Sequence, residues 1–205
     1  MTQRVPWVVG VSGASGTAYA KAVLGALLAA GHSVDVVVSR AARLTLLDET
    51  GIAWHDDAES FGRWVGVEGD VRFWGPADLA AGPSSGSYPT RGMAVVPAST
   101  AAVAGIALGL SKDLLQRAAS VTLKERRRLV VVPRETPLDR ATLQHLLELD
   151  QAGAVVAPAS PGFYGGAAQV QQLVDFVAGK VLDVMGVEHD LLLRWRGTLG
   201  AGRQA

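Results

Sequence analysis

Five short runs of β-branched and aliphatic residues punctuate this chain: Val5–Val11, Ser33–Val38, Met93–Val96, Leu129–Val132 and Ala154–Ala157. Strands that are apolar on both sides, rather than alternating, belong to a parallel sheet buried on both faces. Stretches with helical spacing follow them: Gly16–Ala30, Arg40–Glu49, Ala101–Leu110, Lys112–Arg126, Arg140–Asp150 and Val170–Met185. Gly31 is placed to stop the first helix. This alternation leaves one economical solution, a doubly wound α/β domain with helices on both faces of the sheet.

Residues 51–92 break the rhythm. They hold Trp54, Trp64 and Trp74, a weak strand at Val71–Trp74 and the loop GPSSGSYPTRG. They read as an irregular arm that covers the domain or contacts another copy. Residues 1–195 read as one domain, and 196–205 as a flexible tail.

Composition narrows the function. At 205 residues the chain suits a single sizeable core, and with 49% hydrophobic but only 19% charged residues some surface is expected to be buried against copies of itself. There is no cysteine, so thiol nucleophiles, thiolate metal sites and disulfides are excluded. The four histidines, His32, His55, His145 and His189, show no ligand spacing, and Asp56-Asp57 lacks a second acidic cluster. No metal is expected. Zero formal charge argues against a nucleic-acid partner. No apolar run approaches membrane-spanning length and no secretory signal opens the sequence, so a cytoplasmic location is expected.

In an open parallel sheet, ligands bind beyond the carboxyl ends of the strands. Those ends read Ser12-Gly13-Ala14-Ser15-Gly16, Ser39-Arg40, Pro97-Ala98-Ser99-Thr100, Pro133-Arg134-Glu135 and Pro158 to Tyr164. The first, before a helix, can offer N–H groups and hydroxyls to a phosphate or flavin edge. It departs from GxGxxG spacing, and no acid closes the second strand, so a mononucleotide such as FMN fits better than a dinucleotide. The stretch Arg117–Glu135 carries six of the 19 Lys and Arg residues. Arg117 and Lys124, seven apart, share a helix face, and a strand end delivers Arg134 with Glu135. Three fixed cations and a carboxylate suit the grip of a phosphate monoester. Arg126, Arg127 and Arg128 read equally well as a solvated basic helix.

Taken in order, these segments resemble the flavin prenyltransferase (UbiX-type) family, formerly described as aromatic acid decarboxylase subunits. The resemblance runs from GVSGASG to LLLRW. It rests on Gly13 to Gly16, Ser39-Arg40-Ala41-Ala42 with Glu49-Thr50, Ser84 to Ser87, Arg117-Ala118-Ala119, Leu123 to Arg126, Pro133 to Pro137, Pro161 to Tyr164 and Arg194-Trp195. It implies a flavodoxin- or Rossmann-like αβα sandwich. The implied reaction joins a dimethylallyl group from dimethylallyl monophosphate to N5 and C6 of reduced FMN. The product, prenylated FMN, passes to a UbiD-type decarboxylase. The resemblance also implies a homo-oligomer, a dodecamer, with sites at subunit interfaces.

By position, it assigns FMN binding to Gly13, Ala14, Ser15, Ser39, Ser99, Thr100, Ala101, Ala102 and Arg134. A donor-phosphate clamp falls to Arg117, Lys124, Arg134, Tyr164 and Lys180. Proton handling falls to Ser15, Glu49 and Glu135, and an aromatic wall beside the prenyl group to Trp195. Fixed Arg, Lys and Tyr donors can meet the charge on a departing phosphate, and aromatic faces favour an allylic cation. The sequence departs from its relatives at Arg40 (commonly Lys), Ala98 (often Cys), Leu79 (aromatic in some) and Lys180 (often Arg, whose bidentate fork is lost). Trp74 is the candidate to replace the wall missing at Leu79. Two other readings compete. An FMN-dependent decarboxylase related to the cysteine decarboxylases would use a His and an Asn-containing motif, which PASTAAVAG lacks. A flavin carrier would have no use for the cationic clamp.

Overall fold

The computed structural model describes residues 4–164, 166–195 and 197. The tail expected at 196–205 lies, apart from residue 197, outside the described residues.

Six parallel strands form one sheet in the order β3-β2-β1-β4-β5-β6. They are β1 (Trp7–Val11), β2 (Val34–Val38), β3 (Val71–Trp74), β4 (Gly92–Ala98), β5 (Arg128–Pro133) and β6 (Val155–Val156). β1 is central: Trp7 pairs with Val34 on one side and Gly92 on the other. The chain order reverses between β1 and β4, which creates the switch point where such sheets bind ligands.

Both sheet faces are dry, because β1, β2 and β4 are buried at every residue. Alternate side chains enter opposite cores. Val9, Val36 and Val130 meet α1 (Thr17–Ala29), α2 (Arg40–Thr50), α3 (Ala58–Val65) and α7 (Val170–Met185). Val8, Met93, Val95, Leu129 and Val131 meet α4 (Thr100–Ala107), α5 (Leu114–Lys124) and α6 (Arg140–Gln151). Each fully buried Leu or Val contributes about 1.5–3 kcal/mol relative to exposure. The layers and parallel order agree with the sandwich expected from the sequence.

Residues 51–92 are irregular only in part: the strand at Val71–Trp74 and the loop at 75–91 stand as expected, but a helix precedes them. That helix is α3, capped by Asp57 (Oδ1 accepts from Ser60 N–H at 2.8 Å) and ended by Gly66 at φ 76°. Phe61 and Trp64 of that helix join Trp54 and Phe73 in an aromatic cluster with ring centroids 5.4–6.4 Å apart. Asp56 ties the segment to α2 through an ion pair with Arg43 and accepts the Trp54 indole N–H. β3 then adds an edge strand beside β2. Trp54, Phe61 and Trp64 are buried in the same core as Val9, Val36 and Leu24, so the stretch is part of the layered domain. Among the described residues, no helix is long and apolar enough to cross a membrane.

Candidate active site

The loop after β1 is fixed at the switch point by one buried hydroxyl. Ser12 Oγ donates to the Pro97 carbonyl (2.9 Å) and accepts from the Ser99 N–H (2.6 Å), stapling the β1 loop to the end of β4. Gly13 then runs against α2 so closely that a Cβ there would lie 2.4 Å from the Ala41 Cβ. Ser39 caps α2 by accepting from Ala42 N–H (3.1 Å), and Ser99 caps α4 by accepting from Ala102 N–H (3.3 Å).

The positive ends of two helices thereby face one cleft of about 400 Å³. Ser12, Gly13, Ser39, Arg40, Ala41, Ser99, Ala101 and Ala102 line it, and Pro76, Ala77, Lys112, Asp113, Leu115 and Gln116 close it. Most of the expected flavin-binding residues thus gather there. Thr100, Ala14 and Ser15 belong to the same loops but not to the cleft wall. Sequence reasoning missed Pro76, Ala77, Lys112, Asp113, Leu115 and Gln116, and treated Arg40 only as a replacement. Two helices, not one, connect β4 to β5, and the second begins back at the ligand edge; that was the available signal.

Beside the cleft, Gly16 adopts φ 107°, a left-handed conformation suited to glycine. The turn exposes the first N–H groups of α1, and Glu49, from the last turn of α2, takes them. Glu49 Oε1 accepts from Gly16 N–H (2.8 Å), and Oε2 accepts from Thr17 N–H (2.8 Å) and Thr17 Oγ1–H (2.6 Å). Partial burial pushes the carboxyl pKa up, but hydrogen bonds from Thr17, Gly16 and the Ser15 hydroxyl outweigh it and hold Glu49 below the usual carboxylate range. Ser15 and Glu49 therefore come together as the sequence implied.

Arg134 leaves β5 at the same edge, with its N–H on the Ala98 carbonyl (3.2 Å) and its stem against Gly16. Its Nε is buried and has no partner among the described residues, a donor available to a bound anion or flavin. Glu135 follows it, exposed, with Oε1 on the Thr136 N–H (3.0 Å).

One protomer does not assemble the expected phosphate clamp. α5 ends at Lys124 just before β5 begins at Arg128, whereas Arg134 follows the far end of that six-residue strand. Lys124 and Arg134 thus stand at opposite sheet edges, about 20 Å apart along the strand direction. Lys180 lies on α7, across the sheet from α5, and bonds Asp183 (3.4 Å). Tyr164 and Trp195 do meet, edge to face at 6.0 Å, and Tyr164 also meets Phe176 at 5.7 Å.

The basic turn is partly structural. Arg117 Nε donates to the Ser84 carbonyl (3.0 Å). Arg127 donates to the carbonyls of Tyr88 (2.9 Å) and Gly86 (2.7 Å) and to Thr90 Oγ1 (3.2 Å). Lys124 pairs with Glu125 directly over Gly86. The Ser/Gly loop is thus seated on α5. Arg126, Arg127 and Arg128 also line a separate cleft at the amino edge with Arg91 and His32. The Trp74 indole N–H is held by buried Asp35 (3.0 Å) and its ring packs on the second core.

The model of the flavoprotein family matches residues 1–182. Flavin prenyltransferase UbiX of Streptomyces coelicolor is 67% identical over 213 residues, spanning 97% of this chain and 99% of that protein. The structure of AnUbiX in complex with FMN and dimethylallyl pyrophosphate superposes with a TM-score of 0.85 at 37% identity, covering 96% of this chain and all 100% of that one. A dodecameric FMN-dependent Ubix-like decarboxylase from Escherichia coli O157:H7 gives a TM-score of 0.85 at 38% identity, over 94% of this chain and 100% of that one. The fold, the loop after β1 and these likenesses agree: the chain belongs to the flavin prenyltransferase family of flavoproteins.

Proposed function

We propose that this protein joins the dimethylallyl group of dimethylallyl monophosphate to N5 and C6 of reduced FMN and releases prenylated FMN, which a UbiD-type decarboxylase then uses. The observation that carries the reading is Glu49. It is an ionised carboxylate built into the N-terminus of α1, on the same loop that shapes the cleft. A flavin carrier needs the cleft but not a fixed proton acceptor beside it.

The residues fit FMN. A cleft of about 400 Å³ falls within the usual range for small ligands. Two helix N-termini with Arg40 and Lys112 suit the phosphate, and the free Nε of Arg134 suits the ring system or an anion near it. Bound in reduced form, FMN supplies the nucleophilic ring positions. The protein's part is positional and electrostatic. Ser15 and Glu49 take up a proton, with Glu135 as the second carboxylate at this edge. Tyr164, Lys180, Arg117, Lys124 and Arg134 receive the departing phosphate, and Trp195 walls the prenyl group. With that charge met by side chains, turnover is expected to be unchanged by a chelator.

The separation of Lys124 from Arg134 implies that Arg117 and Lys124 act on a neighbouring copy's cleft. A homo-oligomer, a dodecamer like the Escherichia coli neighbour, satisfies that need. A cytoplasmic site of action, where reduced flavin is supplied, belongs to the same proposal. The test is Lys124→Ala and Tyr164→Phe, each assayed for FMN binding and for prenylated FMN. Retained binding with transfer reduced tenfold or more supports the enzyme; full turnover in both variants overturns the clamp.

A further inference from the structure

We propose that Thr17 is a positioning residue for the reaction: its hydroxyl locks the Glu49 carboxylate in its working orientation. The inference rests on Glu49 acting as the proton acceptor. An α-helix N-terminus offers Glu49 two backbone donors whatever residue stands at 17. Thr17 adds a third, and on the oxygen its own N–H already holds: Oε2 receives N–H at 2.8 Å and Oγ1–H at 2.6 Å, while Oε1 receives the Gly16 N–H at 2.8 Å.

A carboxylate has about four lone-pair sites. Both sites on Oε2 are therefore filled by Thr17, which leaves Oε1 as the oxygen that takes up a reacting proton. The arrangement is stiff. Thr17 is 1% exposed, so water does not compete for its hydroxyl, and a β-branched side chain has few rotamers at a helix start. Glu49, by contrast, is on the exposed side of α2, where an unrestrained side chain would sample several rotamers. The titratable groups around it are Asp48 on its own helix, Tyr19 and Lys21 on α1, and Arg134 and Glu135 after β5. Among the described residues, none of these hydrogen-bonds the carboxylate.

The experiment compares Thr17→Val, Thr17→Ser and Glu49→Gln in the full-length protein, reading FMN affinity, kcat, KM for dimethylallyl monophosphate and the pH profile of prenylated-FMN formation. Thr17→Val is expected to lower kcat about tenfold or more, since the lost bond is to an ionised group. KM and FMN affinity are expected to stay within about twofold. The acid limb of the profile moves to higher pH, because a carboxylate with fewer donors is protonated more easily. Thr17→Ser restores most of kcat, and adding Thr17→Val to Glu49→Gln costs nothing further. Thr17→Ala serves if Thr17→Val does not fold, judged by FMN binding. An inactive Glu49→Gln beside a Thr17→Val with wild-type kcat and pH profile overturns the role of Thr17 and leaves Glu49 standing. An active Glu49→Gln overturns both.

Discussion

The two edges of the sheet use polar residues in opposite ways. At the carboxyl edge, Ser12, Ser39, Ser99, Asp113 and Glu49 are each tied to backbone N–H groups of their own chain, and the first four line one cleft. Along α5 and the turn after it, Arg117 and Arg127 are spent largely on carbonyls of the 84–90 segment, and half-exposed Lys124 has, among the described residues, only its neighbour Glu125. On the proposed reading, one chain frames the flavin cleft and a neighbouring copy brings Lys124 to the donor phosphate. Residue type alone does not separate a cation that holds a loop from one that awaits a ligand. The hydrogen-bond partners do.

The largest expected effect tests the self-contained edge. Glu49→Gln should reduce prenylated-FMN formation by at least about 10²-fold, the usual range for losing a proton-transfer group, with FMN affinity nearly unchanged. Full turnover in this variant would remove the chemical significance of that edge.

Next comes the division between copies. Lys124→Ala and Arg134→Ala should each lower transfer about tenfold or more. Co-expressed in equal amounts, they should regain activity at about a quarter of the sites if each site takes its two cations from different subunits mixed at random. No regain in mixed oligomers would mean that both residues serve from one chain.

A smaller effect distinguishes the structural cation. Arg127→Ala removes three hydrogen bonds to the 86–90 segment. Stability should fall by about 1–3 kcal/mol and Tm by roughly 2–10 °C, with kcat within about twofold of wild type. A tenfold loss of kcat without a change in Tm would place Arg127 with the clamp instead.

The smallest concerns α7, where Asp183 accepts from Arg194 (2.9 Å) and His189 (3.1 Å). Burial raises the Asp183 pKa, but those two bonds outweigh it and keep the carboxyl below its usual range. A depressed folded-state value means the contribution is complete above the ordinary carboxylate pKa and is lost as pH falls through the folded one. Asp183→Asn should therefore melt slightly below wild type at neutral pH, by under about 1 kcal/mol, and the two should converge in acid. A gap that widened on acidification would contradict the sign.

The sheet was legible because its strands are apolar on both faces, so Val34–Val38 and Arg128–Pro133 announce themselves without alternation. α7 was found to the residue, Val170–Met185. α3 was missed although its signals were present: Asp57 as cap, Gly66 as stop, and Phe61, Trp64 and Val65 at helical spacing. Tryptophan density and surrounding glycines masked them. In the site, Glu49 with Ser15 was recoverable from motif order. Its partner Thr17 was not, because the hydroxyl acts through the turn at Gly16, which sequence spacing does not reveal. Lys112 and Gln116 were overlooked although the sequence shows two helices between β4 and β5, the second of which starts back at the cleft. The split of the clamp was overlooked too: Lys124 and Arg134 are close in sequence, but β5 runs between them and carries them to opposite ends of the sheet.

The most direct measurement is anaerobic. Purified protein is incubated with reduced FMN and dimethylallyl monophosphate, with dimethylallyl pyrophosphate as a parallel donor, and the flavin is analysed by mass spectrometry. A flavin heavier by one C5H8 unit with the monophosphate is the predicted result. Unmodified FMN with either donor, from protein that binds FMN, would contradict prenyl transfer and leave a flavin-binding protein without this chemistry.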